Sequence, residues 1–95
     1  MVNYFPMGSV VLLKNAKKRV MICGWFPQTK DGKTFDYTGC MFPEGIIDSE
    51  KMLLFNDEDI ESLFFIGMQD FEQMNYVKQI RAAVEKKEGT TKDET

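Results

Sequence analysis

The chain has 95 residues and a mass of 11.0 kDa, enough to build one hydrophobic core and too few to build two. Hydrophobic residues make up 43% of the sequence, which excludes disorder along most of its length. The formal net charge is −3. Histidine is absent, and its absence excludes Ser-His-Asp and Cys-His catalysis and zinc sites built on histidine.

The sequence predicts a cytoplasmic protein without direct membrane insertion. No apolar run approaches the roughly 20 residues needed to span a bilayer, and residues 1–14 lack the charged start and cleavage site of a signal peptide. In a reducing cytoplasm we expect Cys23 and Cys40 to pack as small apolar thiols, because two cysteines alone cannot close a tetrahedral zinc site.

The first half of the chain predicts three antiparallel strands. A Pro-Met-Gly turn at residues 6–8 precedes a strand at 9–13, and a strand at 19–26 returns beside it after a short polar turn. A second turn at 29–33 contains Asp-Gly, which suits a tight hairpin, and leads into a third strand at 34–40.

Two further apolar runs follow a loop at residues 42–45, where proline interrupts the pattern. The run at 51–55 predicts a fourth strand. The run at 60–66 fits a helix or a strand, and its paired phenylalanines followed by glycine favour a strand. Between the two runs, residues 57–61 predict one helical turn capped by Asn56.

The remainder predicts a helix over residues 70–87 that packs across one face of the sheet. Its apolar positions recur every three or four residues, and Asp70 with Gln73 resembles a capping box. Gly89 predicts the end of the helix. The apolar stripe consists of Phe71, Met74, Val77, Ile80 and Val84.

The predicted fold class is therefore α+β: an antiparallel meander of about five strands with a C-terminal amphipathic helix packed on one face. Curling of the sheet into a half-barrel is left open. Residues 1–88 form the single predicted domain and residues 89–95 a disordered polar tail.

An acidic run and a basic run of residues could each bind a ligand, but the sequence favours another explanation for both. The acidic run at residues 57–61 lacks the glycine and the terminal glutamate of a calcium loop, so we expect a solvated turn and no metal. No glycine has the spacing that cradles a phosphate, so no cofactor is expected. Lys14, Lys17, Lys18 and Arg19 lie close in sequence to Trp25 and Phe26, which are the ingredients of a small nucleic-acid-binding barrel.

A sequence pI near 4.9 and an acidic second half argue against a nucleic-acid partner, because they repel phosphates. The barrel that binds nucleic acid stays as a second alternative.

Four blocks of sequence resemble, in order and spacing, the uncharacterised-domain family DUF4176. They are residues 6–14, 18–24, 35–45 and 55–60, and the resemblance covers residues 4–73. The block with Phe-Asp-Tyr and Pro-Glu-Gly is its specific part. Members of that family are small cytoplasmic proteins of Gram-positive bacteria, encoded beside type VII secretion genes and toxins with an N-terminal LXG domain.

The resemblance implies a non-enzymatic chaperone or targeting adaptor that binds an LXG-domain toxin before export, in company with small helical accessory proteins. It implies no catalytic residue. An immunity protein that neutralises a cognate toxin is the first alternative, and a hydrolase or transferase is a third class that lacks a nucleophile motif.

For such a role we expect an apolar anchor beside an acidic rim. The candidate anchor residues are Tyr37, Phe42 and Pro43, and the candidate rim residues are Glu44, Asp57, Glu58 and Asp59. The competing interpretation puts Tyr37 in the core and uses Phe42 and Pro43 to close a barrel.

Overall fold

The computed structural model of the protein describes residues 3–93, with side chains for residues 3–85. It contains five strands, one helix and two short 3-10 turns. The strands are β1 (Val10–Leu13), β2 (Val20–Trp25), β3 (Tyr37–Met41), β4 (Leu53–Phe55) and β5 (Ile60–Phe65); the turns are Ser49–Lys51 and Asp57–Asp59; the helix is α1 (Phe71–Asp93). The predicted α+β class is confirmed.

All strand pairs are antiparallel, and the sheet has the order β4-β3-β2-β1-β5. The first four strands form the predicted meander, because each pairs with the strand before it. β5 then crosses to the far side and pairs with β1, so β4 and β5 are the two edges. The predicted turn at residues 6–8 is also present: Gly8 has φ 87° and the Ser9 N–H donates to the Pro6 carbonyl at 3.1 Å.

The short link between the two edge strands requires a curled sheet. Neighbouring strands lie about 4.8 Å apart, so a flat five-stranded sheet would hold its edges about 19 Å apart. The chain from Phe55 to Ile60 includes the 3-10 turn Asp57–Asp59, and a link of this kind spans at most about 15 Å. The sheet is therefore bent toward a half-barrel, which brings β4 and β5 closer than their order alone would allow.

The core lies inside this curl. Cross-strand neighbours supply it: Val11 pairs with Val20, and Tyr37 pairs with both Trp25 and Phe55. The buried cluster is Val11, Val20, Ile22, Tyr37 and Phe55. Val20 and Ile22 are two residues apart on β2 and therefore lie on the same face of the sheet, because successive side chains of a strand point to opposite faces.

A buried hydrogen bond fastens the chain just after β5. Gly67 is buried, and its N–H donates to the Ser9 hydroxyl at 2.9 Å. Ser9 itself is fully buried and lies immediately before β1. A β-carbon at Gly67 would collide with the backbone carbonyl oxygen of Met7. This close approach of two backbones requires glycine and fixes where β5 ends.

α1 contacts the rest of the domain beside the N-terminal segment. The Tyr76 ring stacks on Trp25, the last residue of β2, with centroids 5.5 Å apart, and the Arg81 guanidinium lies 5.3 Å from the centre of the Tyr4 ring. Arginine over an aromatic face is attracted by the ring quadrupole. The helix therefore meets the sheet through aromatic contacts centred on Trp25.

The predicted apolar stripe of α1 is partly wrong. Val77, Ile80 and Val84 are half-buried, as expected, whereas Phe71 is 86% exposed and Met74 is also exposed. At 100° per residue, Phe71 lies 120° around the helix from Val77, which turns its ring away from the packed face.

The predicted end of the helix at Gly89 is also wrong, since α1 continues to Asp93. One glycine inside a helix costs only about 1 kcal/mol, which does not force a stop. The division into a domain at 1–88 and a tail at 89–95 stays a prediction, and residues 94 and 95 lie outside the described residues. Within the described part of the chain, no helix combines the length and the apolar character needed to cross a bilayer.

Candidate functional site

Tyr37 belongs to the core, so its predicted role as an exposed anchor is wrong. Its ring is fully buried and packs between Phe5 and Phe55, with centroids 6.4 and 5.4 Å away. The physical reason is register: Tyr37 lies opposite Trp25 and Phe55 on the inner face of the curl. The competing interpretation from the sequence, which placed this residue in the core, is confirmed.

The Tyr37 hydroxyl organises a polar network that holds the acidic turn. It donates to the Asp57 carboxylate at 2.6 Å and accepts from the Phe5 N–H at 3.3 Å. Burial, followed by the hydrogen bond to Asp57, raises the pKa of Tyr37 well above its usual range. The second carboxylate oxygen of Asp57 accepts from the Asn3 amide at 3.1 Å. Asp57 is therefore structural, because its carboxylate already ties three segments together.

The other two acidic residues of this turn are Glu58 and Asp59. Asp59 accepts from the Asn56 N–H at 2.9 Å, which confirms a short helical turn beginning at Asn56. Glu58 is exposed. Asp59 is exposed as well, so a partner can reach the side chains of two of the three predicted rim residues in this turn, Glu58 and Asp59. Partner binding by the three residues stays a prediction.

Phe42, Pro43 and Glu44 lie together on the loop after β3, joined by a cis peptide bond between the first two. Phe42 is half-buried, whereas Pro43 and Glu44 are exposed. Glu44 forms an ion pair with Lys18 at 2.8 Å, and this contact holds the pKa of the Glu44 carboxyl below its usual value. Partner binding by these three residues stays a prediction.

Arg19 joins this loop to the edge strand β5. Its guanidinium lies 5.1 Å from the centre of the Phe42 ring and 5.7 Å from that of Phe64. Lys18 and Arg19 are therefore both engaged within the domain, one with a carboxylate and one between two rings. The predicted absence of a nucleic-acid partner stays a prediction.

The main exposed surface was missed by the sequence analysis. It is the apolar edge, which we define as Leu63, Phe64, Phe65, Ile66 and Met68, all of them exposed. The exposed fractions of Phe64 and Phe65 are 57% and 61%. Because consecutive residues of a strand point to opposite faces, this surface is apolar on both sides of β5.

A run that is apolar on both faces was visible in the sequence, and such runs are usually buried strands. The pattern alone did not reveal that β5 lies at an edge. Its position depends on the crossover from β4, and the topology supplies that information only after folding.

Cys23 and Cys40 are free thiols, as predicted. Partial burial and the neighbouring Cys40 raise the pKa of Cys23 to about 11, so the thiolate that attacks electrophiles is scarce near neutral pH. Among the described residues, no three His, Cys, Asp or Glu side chains come close enough together to hold a metal ion. The described residues thus present an exposed apolar surface, the apolar edge, with the exposed carboxylate of Glu61 on the same strand.

The family model described as "Domain of unknown function (DUF4176)" matches residues 4–76 of the chain. Comparison with curated proteins and with solved structures finds no match. The matched region contains all five strands and the start of the helix, including the apolar edge.

Proposed function

Since the chain belongs to the DUF4176 family of domains of unknown function, we propose that it is a non-enzymatic chaperone or targeting adaptor. Its client is an LXG-type toxin, which it binds in the cytoplasm for type VII secretion. The observation that carries this proposal is the apolar edge along β5. A patch of adjacent exposed phenylalanine, leucine, isoleucine and methionine side chains is typical of a protein-binding surface.

The apolar edge supplies enough free energy for a client to be held without any chemistry. Full burial of a phenylalanine or leucine side chain contributes roughly 1.5–3 kcal/mol, and two or three such residues support a useful affinity after the costs of association. A client that is bound in this way spends less time in states that aggregate, because binding shifts the equilibrium by mass action.

The loop at Phe42 fits the same role as a secondary contact. Arg19 holds its ring beside Phe64, so a client on one face of β5 also reaches Phe42 and Pro43. Exposed Glu44 and Glu58 supply charge that orients the client and speeds encounter.

We expect the protein to co-purify with the N-terminal LXG region of the toxin when the two are co-expressed. The LXG region must stay competent for export, and the apolar edge would cover surface on it until then. The toxic C-terminal region does not need such a cover. Separate expression of the two toxin regions with the tagged protein measures this directly.

Failure to bind the LXG region would contradict the proposal. If the protein binds only the C-terminal toxic region and protects cells from killing, it is an immunity protein. Small helical accessory proteins should be co-expressed in a parallel sample, because they are expected in the same complex.

A further inference from the structure

The two edges of the sheet differ in how well they are protected against pairing. β4 has three residues and is flanked at both ends by 3-10 turns, which leaves little backbone to pair. β5 has six residues, with no proline and no lysine among them. Exposed edges are normally blunted by shortness, proline, charge or bulges. Along β5, the register against β1 shifts at two places, between Val10 and Val11 and between Leu12 and Leu13, and four of its residues still pair with β1. Glu61 is the one charged residue of β5.

Within the described residues, β5 pairs with β1 alone, so its outer row of backbone N–H and C=O groups has no strand beside it. The side chains next to this row are apolar on both faces: Leu63 lies opposite Val11 and Phe65 opposite Val10, and these two neighbours on β1 point to opposite faces. A helix would cover one face of β5 and leave the other exposed to water. An added strand covers both, because its own side chains also alternate.

The charges near the apolar edge indicate which kind of strand would pair with β5. In the sequence, acidic residues flank the apolar edge on both sides: Glu58 and Glu61 precede it, and Asp70 and Glu72 follow it. None of them forms an ion pair within the described part of the chain, where the ion pair found is Lys18 with Glu44. A second copy of the chain would bring acid against acid in either orientation, parallel or antiparallel. Basic flanks on the incoming strand would instead be attracted at both ends.

We propose that the free edge of β5 takes up an extended apolar segment of the client, flanked by basic residues, as an added strand of the sheet. This inference rests on the proposed function for the identity of the client. Backbone hydrogen bonds supply affinity along β5, the phenylalanines of the apolar edge are covered from both sides, and Glu61 and Glu72 select the basic flanks.

The test uses two synthetic peptides, so that it does not depend on the toxin. Both alternate valine and threonine; one has lysines at each end and the other glutamates. We expect the lysine peptide to bind at least about tenfold more tightly, and amide exchange across Ile60–Phe65 to slow by about tenfold or more when it is bound. The double variant Glu61→Lys with Glu72→Lys should reverse the preference, and far-UV circular dichroism checks that it is folded.

Several results would overturn the inference. They are binding of neither peptide, equal binding of both, binding that leaves β5 amide exchange unchanged, and self-association of the protein alone with slowed exchange at β5. None of these depends on whether the LXG region co-purifies. Failure of co-purification with normal peptide pairing would remove the proposed function and leave the strand-accepting edge in place.

Discussion

Substitution of Gly67 by alanine is expected to lower the free energy of unfolding by about 3 kcal/mol. The new β-carbon would lie far inside the van der Waals contact distance from the Met7 carbonyl oxygen and 3.1 Å from the Ser9 nitrogen. Both neighbours are backbone atoms and cannot rotate away. The chain must shift, and the buried hydrogen bond from the Gly67 N–H to the Ser9 hydroxyl is then weakened.

Urea unfolding checks this expectation, with a lower midpoint and an unchanged slope. Gly24→Ala is the matched control. Its β-carbon would meet only the side chain of Thr38, at 3.3 Å, so we expect a loss below about 1 kcal/mol. Equal stability of the Gly67 variant and the wild type would show that β5 and the turn at Met7 are not in close contact.

Substitution of Phe65 by serine is expected to weaken binding of the LXG region about 30-fold, equivalent to about 2 kcal/mol. The ring is 61% exposed in the free protein and lies at the centre of the apolar edge, so its truncation removes surface that a client would bury. The same exposure means that the fold loses little, and the melting temperature should stay within a few degrees of the wild type.

Leu54→Ser controls for a general loss of surface hydrophobicity. Leu54 is 38% exposed on β4, the opposite edge strand. Titration calorimetry or surface plasmon resonance should find its affinity within about twofold of the wild type, as expected for a residue outside the contact. A larger loss at Leu54 than at Phe65 would move the binding site to the other edge of the sheet.

The strands and their hairpins were predictable because local patterns determine them. The turn at Gly8 and the apolar run that predicted the second strand are features of neighbouring residues, and the structure has a turn and a strand at these positions. The helical turn after Asn56 was predictable for the same reason.

The burial of individual residues was less predictable, since it depends on partners far away in sequence. Tyr37 is buried by Phe5 and Phe55, and its hydroxyl is satisfied by Asp57. Phe71 shares the helical spacing of core residues but begins the helix on the side away from the domain. A periodic pattern identifies a face and does not say how far along the helix that face remains covered.

The exposure of β5 was invisible in the sequence for a similar reason. Its apolar run is typical of a strand that is buried on both faces. Only the crossover from β4 to the far side of β1 leaves it at an edge, and that crossover depends on the curl of the whole sheet.

The central claim is that this protein works by burying apolar surface of another protein against the apolar edge. The heat-capacity change of binding to the LXG region, from calorimetric titrations at several temperatures, tests it most directly. The account predicts a negative heat-capacity change that becomes smaller in magnitude in the Phe65→Ser variant. A heat-capacity change near zero, or one that Phe65→Ser leaves unaltered, would contradict it.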